Sequence, residues 1–165
     1  MAIVKKLKQH PPLPPSRYEV GIYCRVSTAS KTQVVSAGHQ MSGLIADVAN
    51  SQQVRLYDVY LDIQSGRTSD NRKNLMRLLD DCKAGRVTLV YTKSISRFAR
   101  NTVDVLTIVW ELKKVDVPVY FENEQLYSFD KEAELAISLH GAIAQGESEN
   151  KSENRISMYQ SSYGT

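Results

Sequence analysis

The sequence predicts an α/β fold: a mainly parallel sheet of four to five strands flanked by helices, followed by a long C-terminal helix. Short apolar runs, such as residues 54–62, alternate with segments whose apolar residues recur at three- and four-residue spacing. Strands that alternate with helices favour a parallel sheet with helices on both faces. Residues 132–160 continue as one helical pattern that is apolar in its first half and almost wholly polar in its second. Such a pattern is typical of a helix that leaves the core.

The elements follow in a regular order along the chain. Strands are predicted over residues 19–27, 54–62, 87–93 and 117–123. Helices are predicted over residues 37–51, 72–85, 101–116 and 132–160, and polar loops over residues 27–36 and 63–71. In the last helix, the residues expected to form the apolar side are Ala133, Leu135, Ile137, Leu139, Ala142 and Ile143.

Three regions divide the chain. Residues 1–17 are rich in lysine and then in proline, which predicts a flexible basic arm rather than a helix or a central strand. Residues 18–130 carry the strands and helices of the core, and residues 131–165 carry the long helix. The chain then stops without a domain-like ending, and we expect it to be a fragment of a longer protein.

The composition is that of a single globular domain. The chain has 165 residues and a net charge of +3, which is compatible with a nucleic-acid partner but too small to indicate one. A run of 18 apolar residues is absent from the sequence, which argues against a membrane-spanning segment. Cys24 and Cys82 have no metal-ligand spacing, so reduced core thiols in a cytoplasmic protein are expected.

Several familiar classes of site have no support in the sequence. His10, His39 and His140 are far apart and have no ligand-like spacing to cysteine or carboxylate, so no metal site is predicted. Neither a dinucleotide-binding glycine motif nor a phosphate-binding loop is present, so no cofactor is expected. The flanks of His39 and Ser27 do not resemble a Ser-His-Asp hydrolase.

Arginines and one serine gather where predicted strands end. In the stretch GIYCRVST, Arg25 and Ser27 alternate onto one face of the first strand, and Asp62 ends the second. Further arginines follow the second and third strands, at Arg67, Arg72, Arg97 and Arg100. A guanidinium fork fits phosphate oxygens, and preorganised cations around a hydroxyl stabilise the transition state of phosphoryl transfer. For Ser27 alone, an ordinary turn serine was the competing interpretation.

The segment SISRFARN carries the most closely spaced arginine pair. Arg97 and Arg100 are three residues apart, which would place them on one face of a helical turn. Phe98 and Ala99 lie between them and indicate a segment anchored in the core.

Four segments in this order resemble the motifs of the serine recombinases (the resolvase/invertase catalytic domain), most closely the large transposon- and phage-type members. The segments are YCRVST, YLDIQSGRTSDNR, KSISRFARN and AQGESENKSEN, and the likeness runs from about Tyr18 to about Arg155. Each motif alone would be weak, whereas the four together are specific. Ser96 stands where many small resolvases have an aspartate, and Asn71 and Lys73 flank Arg72 where aspartate and proline are frequent.

The resemblance implies a role for each matched residue. Ser27 would be the nucleophile that attacks a DNA phosphodiester, leaving a 5′-phosphoserine link and a free 3′-hydroxyl. The residues that would hold the scissile phosphate are Arg25, Arg72, Arg97 and Arg100. Gln40 would order the active-site loop, and Asp62 would be the carboxylate at the end of the second strand. Lys93 would lie near the site and bind DNA, and Glu153 would lie on the long helix near the DNA, whereas Arg67 has no firm counterpart and would be a solvated loop residue.

The resemblance also implies partners and context. The partners would be a double-stranded DNA recombination site and further copies of the chain, as a dimer and a synaptic tetramer joined through the long helix. Neither ATP nor a divalent metal would be required, and recognition would rest mostly on DNA-binding domains after residue 165. Cytoplasmic location and a bacterial or mobile-element origin are expected.

Two alternatives remain open at this point. A catalytically inactive DNA-binding or assembly module of the same fold would retain only the oligomer interface. An enzyme acting on a small phosphate compound could use the same arginines, but it would have a compact pocket and no protruding polar helix. The general base for Ser27 is also open, with Asp62 or a water ordered by arginine as candidates.

Overall fold

The structure is a computed structural model that describes the backbone of residues 18–27, 31–51, 53–64 and 72–162. The predicted N-terminal arm and Arg67 lie outside the described residues. The described side chains exclude those of Ser27, of Gln40, and of other residues in 31–37 and 148–162.

Five strands form one sheet in the order β2-β1-β3-β4-β5. Their bounds are Tyr18–Ser27 (β1), Val54–Gln64 (β2), Leu89–Thr92 (β3), Val119–Phe121 (β4) and Leu126–Tyr127 (β5). The first four strands pair in parallel, and β5 is antiparallel to β4. The predicted α/β class and the mainly parallel sheet of four to five strands are confirmed.

Five helices are described between and after the strands. Their bounds are Lys31–Ala49 (α1), Lys73–Lys83 (α2), Ile95–Phe98 (α3), Thr102–Lys113 (α4) and Ala133–Ser162 (α5). The loop predicted over residues 27–36 is wrong, because α1 begins at Lys31. Residues 31–37 contain neither proline nor glycine, so each added residue can extend the hydrogen-bonded helix towards its N-terminus.

The fifth strand is too short for a sequence pattern to reveal. It follows a tight turn in which Gln125 has a positive φ of 50°. The turn returns the chain alongside β4, where Tyr120 lies opposite Tyr127. A two-residue strand contains a single alternation, which does not distinguish it from a loop.

Alternating side chains of β1 enter two separate cores. Ile22 belongs to the core under α1, with Leu44 and Val48 of that helix. The next residue, Tyr23, belongs to the core under α2 and α4 and is fully buried. Helices therefore cover both faces of the sheet, as predicted.

The strand order places one end of β1 at the reversal point of the topology. From β1 the chain moves to β2 on one side, and then to β3 on the other side of β1. Parallel α/β sheets bind ligands outside the carboxyl ends of the strands that flank such a switch point. Ser27 ends β1, and the segment that carries Arg97 follows β3.

The long helix buries less of its apolar surface than its sequence predicts. Ala133 and Ile137 are 1% and 0% exposed and contact the core. Three other apolar residues face outwards, namely Leu135 (64% exposed), Leu139 (55%) and Ile143 (64%). Each helical residue rotates by about 100°, so positions 135, 139 and 143 form a second stripe on the opposite side from Ala133. The single predicted apolar side is therefore two stripes, of which one is unburied.

Within the described part of the chain, no helix combines the length and the apolarity that a membrane span requires.

Candidate active site

Arg25 braces the carboxyl end of β1 against two neighbouring elements. Its Nη1 donates to Oε1 of Gln64 at the end of β2 (2.9 Å). Its Nη2 donates to the carbonyl oxygen of Ser96 in α3 (3.2 Å). A guanidinium carries more N–H donors than these two contacts use. The geometry fixes the side chain at the edge where β1, β2 and α3 meet, while leaving it partly exposed.

Asp62 lies opposite Arg25 in the sheet register and caps the following helix from a distance. The carboxylate is 5% exposed and accepts hydrogen bonds from the backbone N–H groups of Asn74 and Leu75, both at 3.0 Å. These N–H groups belong to the first turn of α2, where backbone N–H groups have no acceptor within their own helix. Tyr23 donates its hydroxyl to the same carboxylate (3.1 Å). Burial, reinforced by the charge of Asp62, raises the pKa of Tyr23, so this donor stays protonated.

Arg72 occupies the N-cap position of α2, directly before the turn that Asp62 holds. Its own side chain makes no capping hydrogen bond. Its Nη2 instead pairs with Oδ2 of Asp104 in the first turn of α4 (3.1 Å), and its side chain is 15% exposed. The guanidinium is therefore held between the starts of two helices.

The segment after β3 is shaped by two successive helix caps. Ser94 Oγ accepts from the backbone N–H of Arg97 and starts α3. Asn101 Oδ1 accepts from the backbone N–H of Asp104 and starts α4 (2.9 Å). Small polar side chains at N-cap positions accept hydrogen bonds from backbone N–H groups that have no acceptor within the helix. We call residues 94–101, bounded by these two caps, the arginine segment.

The arginine segment is anchored by its apolar residues, as predicted. Phe98 is 0% exposed and meets the rings of Tyr23 and Phe121 edge to face, with centroid distances of 5.8 and 5.6 Å. Ala99 is 3% exposed. Packed aromatic side chains hold the backbone on either side of them, so the exposed Arg97 and Arg100 project from a fixed support.

The two arginines of this segment do not share a helical turn. Helix α3 ends at Phe98, and Ala99 is extended, with φ −145° and ψ 171°. The expectation that Arg97 and Arg100 lie on one helical face is therefore wrong. Extended backbone at Ala99 ends α3 and leads the chain to Asn101, the N-cap of α4, so Arg97 and Arg100 lie on either side of a break between two helices.

The charge of Arg97 reaches the carboxyl end of β1. Burial raises the pKa of the Cys24 thiol, and the positive charge of Arg97 opposes that effect. Arg97 thus lies near the same strand end as Arg25. The raised pKa keeps Cys24 a neutral thiol, in agreement with its expected place in the core.

Lys93 follows β3 and pairs with Glu122 at the end of β4. Its Nζ lies 2.6 Å from Glu122 Oε2, and both side chains are about a third exposed, at 29% and 28%. This contact joins the ends of two adjacent strands.

Three of the predicted site residues are placed by backbone alone. Ser27 is the last residue of β1 and lies opposite Gln64 in the register. Gln40 lies within α1, and Glu153 lies within the second half of α5. Their side chains lie outside the described part of the structure. Among the described residues, no cluster of histidine, cysteine and carboxylate groups has the arrangement of a metal site.

Sequence reasoning missed the partners that hold the arginines. Gln64, Asp104 and Ser96 contact Arg25 or Arg72. Gln64 and Ser96 lie within quoted motifs but were given no role there, and Asp104 lies outside them. One signal was available, since Gln64 is two residues after Asp62 and so shares its strand face. The contact of Arg72 with Asp104 joins residues 32 positions apart, and no local pattern encodes it.

The fold is thus an α/β sheet that places arginines and a strand-end serine at its topological switch point. Residues 20–161 match the family described as "Resolvase, N terminal domain". The chain belongs to this family. A search of curated proteins finds no significant match.

Solved structures of serine recombinases share the fold. A resolvase family site-specific recombinase from Streptococcus pneumoniae has 27% sequence identity and a TM-score of 0.61, covering 88% of this chain and 99% of the other. The N-terminal catalytic domain of TP901-1 integrase has 20% identity and a TM-score of 0.56, covering 81% and 98%. The C-terminal catalytic domain of ISC1926 TnpA, an IS607-like serine recombinase, has 22% identity and a TM-score of 0.54, covering 88% and 86%. Family membership and fold together support a serine recombinase function.

Proposed function

We propose that this chain is the catalytic domain of a site-specific DNA recombinase that uses Ser27 as its nucleophile. One observation supports this proposal more strongly than the others do. The end of β1, where Ser27 lies, is the point on which Arg25, the end of β2 and the arginine segment converge. A serine that ends the strand in which a guanidinium is braced matches the requirement of phosphoryl transfer.

In the proposed reaction, the Oγ atom of Ser27 attacks a backbone phosphorus of DNA. A new P–Oγ bond forms and the bond from phosphorus to the 3′ oxygen breaks. The hydroxyl proton leaves Ser27, and the departing 3′ oxygen gains a proton to become a hydroxyl. The phosphodiester energy is retained in the 5′-phosphoserine link, so rejoining a new 3′ hydroxyl by the reverse steps needs no nucleotide cofactor.

The proposed roles of the arginines follow from what holds them. Arg25 and Arg97 would stabilise negative charge on the non-bridging oxygens, because Arg25 bonds the carbonyl oxygen of Ser96, the residue directly before Arg97. Arg72 would approach from the start of α2, and Arg100 from beyond α3. Guanidinium groups fixed before the reaction stabilise the transition state without reorganising.

Asp62 is better suited to positioning than to proton transfer. Its carboxylate already accepts three hydrogen bonds, from Tyr23, Asn74 and Leu75, and thereby orders the turn that precedes Arg72. For Lys93 we propose a role near the DNA, from a position that its ion pair with Glu122 holds at the end of β3. Gln40 and Glu153 keep the roles that the family motifs imply, namely loop ordering and contact near DNA.

We further propose that copies of the chain associate through α5. The outward stripe of Leu135, Leu139 and Ile143 would be covered by a partner copy, because exposed apolar stripes on helices mark association surfaces. The dimer and tetramer of the family would form in this way. Domains beyond residue 165 would then supply the recognition of a recombination site.

The test is covalent trapping on DNA. Residues 1–165 are joined to a sequence-specific DNA-binding domain and given its site beside a nicked central dinucleotide. Mass spectrometry of the digested protein should find a nucleotide phosphate on Ser27. Ser27→Ala should abolish the adduct, whereas Ser138→Ala, a serine whose hydroxyl bonds its own helix, should leave it unchanged.

The alternative of an inactive assembly module predicts a different result. The fusion would bind its site and associate, yet form no adduct at any serine. That outcome, with DNA binding and association verified by gel shift and gel filtration, would overturn the nucleophile assignment.

A further inference from the structure

Two consecutive residues of the long helix contact the groups that flank the two ends of the arginine segment. His140 and Gly141 occupy one turn of α5. His140 reaches the start of the segment through Glu124, and Gly141 packs against Thr102, the residue directly after the segment. A shallow cleft between α5 and the segment is lined by residues of both, including Ser96, Arg100, His140 and Gly141.

The first contact passes through a single carboxylate. Glu124, in the turn between β4 and β5, accepts from the backbone N–H of Ile95, the first residue of α3, with both oxygens at 3.4 Å. His140 Nε2 lies 3.4 Å from Oε1 of the same carboxylate. The Glu124 side chain is only 15% exposed, so water competes weakly for it. A helix start and the long helix therefore share one acceptor.

The second contact is steric. A Cβ atom added at Gly141 would overlap Thr102 Oγ1 and would lie 2.7 Å from Thr102 Cβ. Only glycine at position 141 allows α5 to cross the start of α4 at this separation. Gly146, five residues later on the same helix, has no atom within 4 Å of such a Cβ and provides an internal comparison.

We propose that His140, Gly141 and Glu124 are positioning residues that clamp the arginine segment onto the long helix. Neither His140 nor Gly141 is required to touch DNA in this role. By holding both ends of the segment, the clamp sets the placement of Arg97 and Arg100. The catalytic consequence rests on the proposed function, whereas the clamp itself does not.

The test compares amide hydrogen exchange of the arginine segment among variants of the full chain. The backbone N–H groups of Arg97 and Phe98 both bond to Ser94 O and report the integrity of α3. Overpacking at Gly141→Ala should accelerate exchange over residues 94–101 by about tenfold or more, with β3 unchanged. Glu124→Gln should also accelerate exchange over residues 94–101, by a smaller factor. Gly146→Ala, the matched control, should leave this exchange at the wild-type rate.

A compensating change separates positioning from general destabilisation. Thr102→Gly in the Gly141→Ala background removes the overlapping atoms and should restore exchange to within about threefold of wild type. Melts followed by the fluorescence of Trp110, the one tryptophan of the sequence, set a temperature at which every variant is folded. Equal exchange in Gly141→Ala and Gly146→Ala, or failure of Thr102→Gly to restore it, would overturn the clamp.

The rate of adduct formation in the DNA-binding fusion supplies the catalytic readout. We expect the variants that accelerate exchange most to form the adduct most slowly, with DNA binding unchanged. An unchanged rate in Gly141→Ala, despite faster exchange, would refute the catalytic role of the clamp. If the wild-type fusion forms no adduct, the proposed function fails, and the exchange results still decide whether the clamp exists.

Discussion

Replacing Asp62 by alanine should destabilise the fold more than any other single carboxylate change at the strand ends. The substitution removes a buried acceptor that serves Tyr23 and the first turn of α2 together. Arg72 stands at the N-cap of that helix without a capping side-chain bond, so nothing local replaces Asp62 there.

The magnitude follows from the three lost hydrogen bonds. Loss of a helix cap costs about 1 kcal/mol of unfolding free energy. The hydroxyl of Tyr23 and the N–H of Leu75 are left without an acceptor in buried surroundings, at about 1 kcal/mol or more each. The sum is about 3 kcal/mol, which corresponds to a Tm lower by roughly 6–12 °C for a domain of this size.

The assay is thermal unfolding with a matched control on the same strand. Asp58 pairs with Arg77 on the surface, with 42% and 48% of the side chains exposed, so Asp58→Ala should cost less than about 1 kcal/mol. Tyr23→Phe should cost about 1 kcal/mol in the wild type and distinctly less in the Asp62→Ala background, because its partner is already gone. A Tm for Asp62→Ala within about 2 °C of the Asp58→Ala value would refute the capping argument.

Three further predictions concern stability. Thr92 Oγ1 is fully buried and has no hydrogen-bond partner among the described residues, so Thr92→Val should hold or raise the Tm, and a lower Tm would contradict this view. The hydrogen bond from Tyr60, together with Arg86, holds the pKa of Asp81 below its ordinary value. The ionised Asp81 therefore stabilises the fold fully at pH values above the ordinary carboxyl pKa, and this stabilisation is lost as the pH falls through the lowered native pKa. In Asp81→Asn, the Tm should consequently fall less steeply below about pH 4 than it does in the wild type. Gly85, two residues after the end of α2, has a φ of +74°, so Gly85→Ala should lower the free energy of unfolding by about 1 kcal/mol. Gly38 lies in α1 with no atom near an added Cβ, so Gly38→Ala should raise the free energy of unfolding, as measured by urea unfolding.

Several features could be read from local pattern because their causes are local. The alternation of Ile22 and Tyr23 between two cores repeats every two residues, which is the period of a strand. The anchoring of Phe98 and Ala99 followed from apolar residues between charged ones. The order of the four motifs sufficed to indicate the family, since each motif is contiguous in sequence.

Other features depended on how distant residues meet. The apolar positions of α5 could not be divided into buried and outward stripes from sequence alone, because that division depends on the core, which buries Ala133 and Ile137 among the described side chains of the helix. The extended backbone at Ala99, which separates Arg97 from Arg100, directly follows Phe98, whose ring packs against the distant Tyr23 and Phe121.

The sequence alone thus specified the first four strands, most of the helices and the residue types of the candidate site, because hydrophobic period and motif spacing act over a few residues. Only the tertiary structure decided which side chains form hydrogen bonds and ion pairs with one another. Asp62 caps a helix that begins 11 residues after it, Arg72 pairs with Asp104, and Arg25 spans β2 and α3. Such contacts are set by the strand order and the packing of helices on the sheet, and a period of two or 3.6 residues contains no information about them.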